Sequence, residues 1–174
     1  SLYMRGDVDK LPEDWSHARA LREVTIEGKT PANLGVLATA PALRAISLQS
    51  WVTTPMPDLS AFAELDRLRV KGYFRKLSVV ARAIRGVGKL RRLEYSARTV
   101  VKGKCVGLPE ELLGVDVEEL WLGVPEGAEW RDVERLARSI PRLRSLALAE
   151  AYRRPAEPGA RSPPHRGGPG SSPS

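Results

Sequence analysis

The chain has 174 residues, of which 42% are hydrophobic and 28% are charged, and its formal net charge is +7. This composition is typical of a folded, soluble protein rather than of a disordered chain. A single cysteine, Cys105, excludes an internal disulfide and a zinc site built from cysteines. The sequence has no run of about 18 apolar residues, so it predicts no membrane-spanning helix and no membrane partner.

A pattern of six residues with apolar side chains at its first, fourth and sixth positions recurs along the chain. Six full copies follow a shortened copy at the N-terminus. Their fourth-position residues are Leu2, Val24, Ile46, Leu68, Leu93, Leu120 and Leu146. Successive members are 22, 22, 22, 25, 27 and 26 residues apart. A repeat of this length predicts a stack of similar units, each of which buries its apolar edge against its neighbours.

The first full repeat predicts a short strand and a compact outer segment. Because side chains alternate along a strand, residues 21–26 are expected to point Val24 and Ile26 into the core and the residues between them outward. Residues 33–40 are expected to form one or two helical turns on the outer side. The apolar residues at helical spacing in this segment are Leu34, Leu37 and Ala38.

The next two repeats place strands at residues 43–48 and 65–70. Between them we expect a loop that contains Trp51, because nearby prolines argue against a regular helix. After the second of these strands, residues 77–84 predict a helix with one apolar face. That face consists of Leu77, Val80, Ala81 and Ile84.

The last repeats predict strands at residues 90–95, 117–122 and 143–148, with a polar loop at residues 96–107. A second helix is predicted at residues 130–140 from its apolar spacing. Its buried stripe is expected to contain Val133, Leu136, Ala137 and Ile140.

The two ends of the chain differ from the repeats. The chain begins within a shortened copy, so we expect it to be a segment of a longer protein. The repeats occupy residues 1–152. Residues 153–174 are rich in Pro, Gly, Ser and Arg and contain no large apolar side chain. Such a segment cannot bury enough surface to offset the entropy lost on ordering, so we predict that it is disordered.

Across residues 1 to about 150, the repeats resemble the leucine-rich repeat family. The resemblance implies an α/β solenoid with short parallel strands on its concave face and helices or irregular turns on its convex face. Residues 108–114 and 117–122 are similar to the L-P-x-x-L phrasing of plant repeats. Residues 1–6 and 10–15 resemble the repeat region of plant nucleotide-binding resistance proteins of the coiled-coil class. Those receptors use irregular cytosolic repeats for self-inhibition and for sensing pathogen effectors.

The chain departs from these families in two respects. A leucine-rich repeat normally has an asparagine three residues after the last apolar position of its strand, where the side chain bonds the backbone of neighbouring turns. Those positions hold Lys29, Trp51, Tyr73, Arg98, Pro125 and Ala151. We therefore expect the turns to be satisfied by other groups and to be looser. The chain also contains no nucleotide-binding domain.

The concave face is the expected binding surface of such a stack. Charge is uneven along the sequence: residues 65–105 contain thirteen Lys and Arg against two acids, whereas residues 108–134 contain nine acids against one Arg. We therefore expect a basic cluster on this face beside an exposed tryptophan, a combination common at protein interfaces. The predicted binding residues are Arg67, Arg69, Lys71, Arg92, Glu94, Glu119 and Trp121.

The sequence predicts no catalytic activity. It has two histidines, His17 in an outer segment and His165 in the tail, and it lacks a glycine-rich phosphate loop, a carboxylate pair and metal-ligand spacing. Cys105 follows two lysines, which favour a thiolate, but we interpret it as an ordinary loop cysteine. We therefore expect no enzyme, no cofactor and no metal. The shortage of cysteine favours a cytoplasmic setting, because secreted repeat proteins are often closed by disulfide-bonded caps.

We expect a module that binds another protein, or another part of its parent chain. The leading hypothesis, implied by the resemblance, is a fragment of a plant intracellular immune receptor. Two alternatives are a substrate adaptor of the F-box type and a bacterial repeat protein of unknown partner. A further alternative is nucleic-acid binding, since Lys and Arg neutralise phosphates. The aromatic residues are not interleaved as a stacking platform, which disfavours nucleic acid.

Overall fold

The computed structural model describes residues 1–54, 56, 58–62, 64–74, 76–88, 90–98, 100–101, 104–105, 110–124 and 129–149. In chain order the strands are β1 (Leu2–Asp7), β2 (Glu23–Lys29), β3 (Ala45–Thr54), β4 (Arg67–Phe74), β5 (Leu90–Arg98), β6 (Val100–Val101), β7 (Lys104–Cys105), β8 (Val117–Gly123) and β9 (Ser145–Ala149). β6 and β7 form a short antiparallel ribbon, and the other seven form one open parallel sheet. The predicted disordered tail lies outside the described residues.

Helical segments occupy several of the crossovers between parallel strands. The α-helices are α1 (Leu77–Gly86), which follows β4, and α2 (Trp130–Ser139), which follows β8. Short 3-10 helices are present at Leu34–Thr39 and Glu110–Leu112. The strands lie in the sheet in the order in which they occur along the chain. The predicted α/β class and parallel strands are therefore confirmed, and the arrangement is solenoid-like.

The seven fourth-position residues of the repeats lie side by side in one row across the sheet. Leu2 pairs with Val24, and the same register continues from strand to strand as far as Leu146. The five inner members of this row are at most 2% exposed. Leu2 and Leu146, at the two ends, are partly buried. The row predicted from the spacing is confirmed, and the stack of these rows forms the core.

The helices cover the buried face of the sheet with apolar stripes. In α1, all four predicted residues are buried. In α2, Val133 and Leu136 are buried, and Ile140, just past its end, is also buried. Ala137 is only partly buried. Both stripes follow the 3.6-residue period, which places apolar side chains on one side of a helix.

The outer segment of the first full repeat differs in one detail from its prediction. The structure has a 3-10 helix at Leu34–Thr39, in which Leu34 and Leu37 are buried but Ala38 is exposed. A 3-10 helix has three residues per turn, so every third residue lies on the same side. The third member of the buried face is therefore Ala40, which is 4% exposed.

Several strands extend beyond their predicted ends: β2 runs to Lys29 and β4 to Phe74, and β3 and β5 enter segments predicted as loops. β3 continues to Thr54, so the backbone of Trp51 lies in a strand rather than in the predicted loop. β5 continues to Arg98, and the ribbon of β6 and β7 lies in the remainder of the predicted polar loop. The neighbouring strand β4 explains the extensions of β3 and β5, because it offers backbone partners as far as Phe74. Pairing between strands therefore prevails over the local polar sequence.

Three glycines lie where neighbouring strands approach closely. Gly6 pairs with Gly28, and Ser50 pairs with Gly72. The glycines have φ between 107 and 121°, a region that other residues rarely adopt. A Cβ on Gly28 would lie 2.7 Å from the Gly6 oxygen, and a Cβ on Gly72 would lie 1.7 Å from the Ser50 oxygen. The sheet therefore requires glycine at positions 28 and 72.

The first turns of the stack are stabilised without the asparagine that is usual in leucine-rich repeats. At the first such position, Lys29 Nζ lies 2.5 Å from Asp9 Oδ1 in the preceding turn, and this hydrogen bond lowers the pKa of Asp9. Asn33 Oδ1 accepts a hydrogen bond from Leu11 N at 2.8 Å, and Asn33 Nδ2 donates one to Leu11 O at 3.0 Å. The prediction that other groups satisfy the turns is confirmed here.

Candidate functional site

The open face of the sheet, opposite the helices, carries three rows of side chains set by the parallel register. The first row contains Glu23, Ala45, Arg67, Arg92, Glu119 and Ser145. The middle row contains Tyr3, Thr25, Ser47, Arg69, Glu94, Trp121 and Ala147. The third row contains Arg5, Glu27, Gln49, Lys71, Ser96, Gly123 and Ala149. All seven predicted binding residues lie in these rows, on β4, β5 and β8.

Two residues of the open face are buried, contrary to the alternation. Ala45 is 4% exposed and Ser47 is 6% exposed. Both are short side chains on β3, and the side chains of neighbouring strands extend above them. Together with Arg67 and Arg69 they line a depression of about 160 Å³. The open face is therefore depressed at β3, where the side chains are short, and the longer side chains from β4 onward extend further above the sheet.

The predicted basic cluster is present, but two of its members are ion-paired. Arg69 Nε lies 2.5 Å from Glu94 Oε2 on the next strand. Arg92 Nη2 lies 2.6 Å from Glu119 Oε2, again on the next strand. Over the three rows, five cationic side chains accompany four anionic ones. The uneven charge of the sequence therefore gives this face a mixed character rather than a strongly basic one.

Trp121 is a large aromatic side chain on this face, and 47% of its surface is exposed. The guanidinium carbon of Arg92 lies 5.8 Å from the centre of its ring, within the range of a cation–π interaction. Because Arg92 is also paired with Glu119, it holds the ring from one side. The ring lines a shallow depression of about 340 Å³ that also includes Lys71 and Gly123. An exposed and fixed aromatic ring of this kind is typical of an interface anchor.

Comparison of the chain with protein-family models, with curated proteins and with solved structures finds no match. Among the helices in the described part of the chain, none has the length and hydropathy needed to span a membrane. The described residues also contain no group of three His, Cys, Asp or Glu side chains that could hold a metal ion. The open face is the candidate site because of the residues that it carries, above all the exposed Trp121 and the charged side chains around it.

Tyr3, which the sequence pattern did not single out, lies in the same row as Trp121, five strands away. It is 59% exposed, and its hydroxyl donates a hydrogen bond to the carboxylate of Glu27. That bond raises the pKa of Tyr3, because the protonated hydroxyl is the donor. The available signal was its outward position between the two apolar residues of the shortened first copy. The middle row therefore has an aromatic side chain near each end.

The residues considered for catalysis have different outcomes. His17 is exposed in the outer segment where the sequence placed it. The backbone of Cys105 belongs to β7, and its side chain lies outside the part of the chain that the structure describes. His165 also lies outside that part. His17 does not belong to the open face.

Proposed function

We propose that this chain is a leucine-rich repeat module that binds another protein through the open face of its sheet. The repeats in register support the family, because a stack of similar units presents one continuous strand surface. The observation that carries the binding proposal is Trp121, whose ring is about half exposed on an otherwise polar face and held by Arg92. Non-obligate interfaces commonly place such an aromatic anchor among polar residues.

The exposed part of Trp121 is large enough to matter for affinity. Covering roughly 100 Å² of its ring would stabilise a complex by about 2–3 kcal/mol, at about 25 cal/mol per Å² of apolar surface. The ring needs little ordering on binding, because Arg92 already restricts it. A partner that covers this ring therefore gains a sizeable part of its binding free energy at one position.

The phrasing of residues 1–15 and 108–122 favours a parent of the plant nucleotide-binding receptor type. The partner would then be another domain of the parent chain or a pathogen effector, and the setting would be cytoplasmic. The mixed charge of the open face favours a protein partner over nucleic acid. A phosphate backbone on this face would lie close to Glu94 and Glu119, whose charges repel it.

Selection from a displayed library of natural protein fragments tests the proposal. Fragments selected on the full chain are measured again on Trp121→Ala and on the double variant Arg67→Glu/Arg69→Glu. Arg82→Glu, on an exposed position of α1, is the matched control for charge reversal away from the face. Urea denaturation of every variant shows that its fold is retained.

We expect selected fragments to bind Trp121→Ala at least tenfold more weakly, as for an interface anchor. The charge-reversed variant should bind more weakly and with a different dependence on salt, because electrostatic contacts are screened by ions. Fragments that bind both face variants as well as the unmodified chain would refute the proposal. Retention of the chain on immobilised polyanion at physiological salt would favour nucleic acid instead.

A further inference from the structure

Two oppositely charged side chains of the open face have no ion-pair partner within 4.0 Å among the described residues. They are Glu23 on β2 and Arg67 on β4. Other charged side chains in the three rows do form ion pairs with one another. They are Arg5, Glu27, Arg69, Glu94, Arg92 and Glu119. Among the contacts of the described residues, Glu23 and Arg67 are therefore available to a partner.

Glu23 and Arg67 lie in the same row with Ala45 between them. Because Ala45 is short and buried, the surface between the two charges is low, and all three residues line the depression of about 160 Å³. Neighbouring strands are about 4.8 Å apart, so the backbones of the two charged residues are separated by roughly 10 Å. Trp121 lies on the second strand beyond Arg67 but in the middle row, two residues further along its strand, so the two backbones are roughly 12 Å apart.

We propose that the open face binds an extended segment of the partner protein, which lies across the strands. The segment places a basic residue against Glu23, an acidic residue against Arg67 and an apolar residue against Trp121, in that order in either chain direction. This inference rests on the proposed function and adds the chemistry of the partner. Charge complementarity carries it, since each available charge on the face requires the opposite charge in the segment.

The spacing of the three contacts indicates the conformation of the segment. A polyproline II segment repeats every three residues with a rise of about 3.1 Å per residue, so equivalent side chains are about 9.3 Å apart. This distance matches the roughly 10 Å between Glu23 and Arg67, and it is slightly shorter than the roughly 12 Å between Arg67 and Trp121, a difference that the two long side chains span. The depression over Ala45 is small and accommodates a side chain rather than the body of a helix. Residues three apart in an extended segment are therefore expected to make the contacts.

A uniformly acidic segment fits this face less well. It would bring negative charge close to Glu23 at one end and to Glu119 at the other. Like charges placed opposite one another in an interface weaken binding. The order of charges along the rows therefore selects a segment of mixed charge.

The test is selection of random 12-residue peptides, displayed on phage, against the full chain. We expect enrichment of the order basic, acidic, apolar, with three-residue spacing and in either direction. Glu23→Lys should change the preferred first residue to an acidic one, and Arg67→Glu should change the preferred second residue to a basic one. Glu64→Lys and Arg82→Glu, exposed positions outside the three rows, are the matched controls and should leave the enriched pattern unchanged.

Binding of one enriched peptide, measured by calorimetry, gives the magnitude. Reversing either charge on the protein should weaken it about fivefold or more, and reversing the facing charge of the peptide should restore it. Peptides that depend on Trp121 but show another charge order, or a seven-residue spacing typical of a helix, would overturn this inference and leave the proposed function standing. Failure to select any peptide that depends on Trp121 would count against the proposed function itself.

Discussion

Alanine substitutions at Gly6, Gly28 and Gly72 test how closely the strands approach one another. The three positions share a positive φ of 107–121°. Each substitution is therefore strained by about 1–3 kcal/mol. The positions differ in what the new Cβ meets: nothing within 4 Å at Gly6, a carbonyl oxygen 2.7 Å away at Gly28 and one 1.7 Å away at Gly72.

Gly72→Ala is expected to have the largest effect. The new Cβ would lie 1.7 Å from the Ser50 oxygen, whereas real Cβ contacts are essentially never closer than 3.0 Å. The strands β3 and β4 must therefore separate by about 1.3 Å. A shift of this size breaks a hydrogen bond of the sheet and leaves its groups unpaired, which adds about 1–3 kcal/mol. We expect Gly72→Ala to lower the free energy of unfolding by about 2–6 kcal/mol, Gly6→Ala by about 1–3 kcal/mol, and Gly28→Ala by an intermediate amount.

Urea denaturation of the full chain, followed by far-UV circular dichroism, measures these differences. The slope of the free energy against urea should not change, because the substitutions alter stability and not the surface exposed on unfolding. Gly6 lies in β1, at the edge of the sheet, where a loss of stability can differ for that reason alone. Gly28→Ala, in the inner strand β2, is therefore the second variant with which Gly72→Ala is compared. Equal losses for Gly72→Ala and Gly6→Ala, within about 0.5 kcal/mol, would refute the close approach of β3 and β4.

Three further predictions concern the core, a turn and a carboxylate. Leu93→Ala should lower the free energy of unfolding by about 2–5 kcal/mol. Leu146→Ala, in the same row but partly exposed, should lower it less. Equal losses of the two variants in urea denaturation would contradict the difference in their burial. Asn33→Ala removes two hydrogen bonds to the preceding turn and should lower the same free energy by about 1–2 kcal/mol; no measurable loss would show that the turn is held elsewhere. The backbone N–H and the hydroxyl of Ser60 lower the pKa of Asp58. The resulting stability is therefore present above the ordinary carboxyl pKa and is lost as pH falls through the pKa of the folded state. In an NMR titration, Ser60→Ala should move the pKa of Asp58 part of the way back to its ordinary value, whereas an unchanged pKa would exclude the hydroxyl as a cause.

The features that sequence could predict depend on spacing within a few residues. Alternation along a strand places Val24 and Ile26 inward, and the helical period places the apolar stripe of α1 on the core. The alignment of Leu68 with Leu93 in one row can also be predicted from the spacing. A shift of one residue in the register between the strands would expose all of the buried apolar side chains to solvent. These local rules are sufficient for the architecture and for the position of the open face.

The remaining features depend on contacts between distant parts of the chain. The pair of Arg69 and Glu94 joins residues 25 positions apart, and it requires the register across a crossover of irregular length. The burial of Ala45 depends on the length of side chains on neighbouring strands. The extension of β3 to Thr54 depends on backbone groups offered by β4. Composition alone therefore overstated the positive charge of the face.

The outer layer varies along the stack: 3-10 helices follow β2 and precede β8, whereas the α-helices α1 and α2 follow β4 and β8. An α-helix with its side chains is about 10 Å wide, whereas strands are about 4.8 Å apart and a 3-10 helix is more tightly wound. A wider element on the outer side of the sheet increases its curvature, so the strands should diverge more sharply between β4 and β5 and between β8 and β9, where α-helices form the crossovers. A peptide lying on the open face would have to bend where this curvature increases, close to Arg67 on β4. A flexible residue in the peptide at that point would allow the bend.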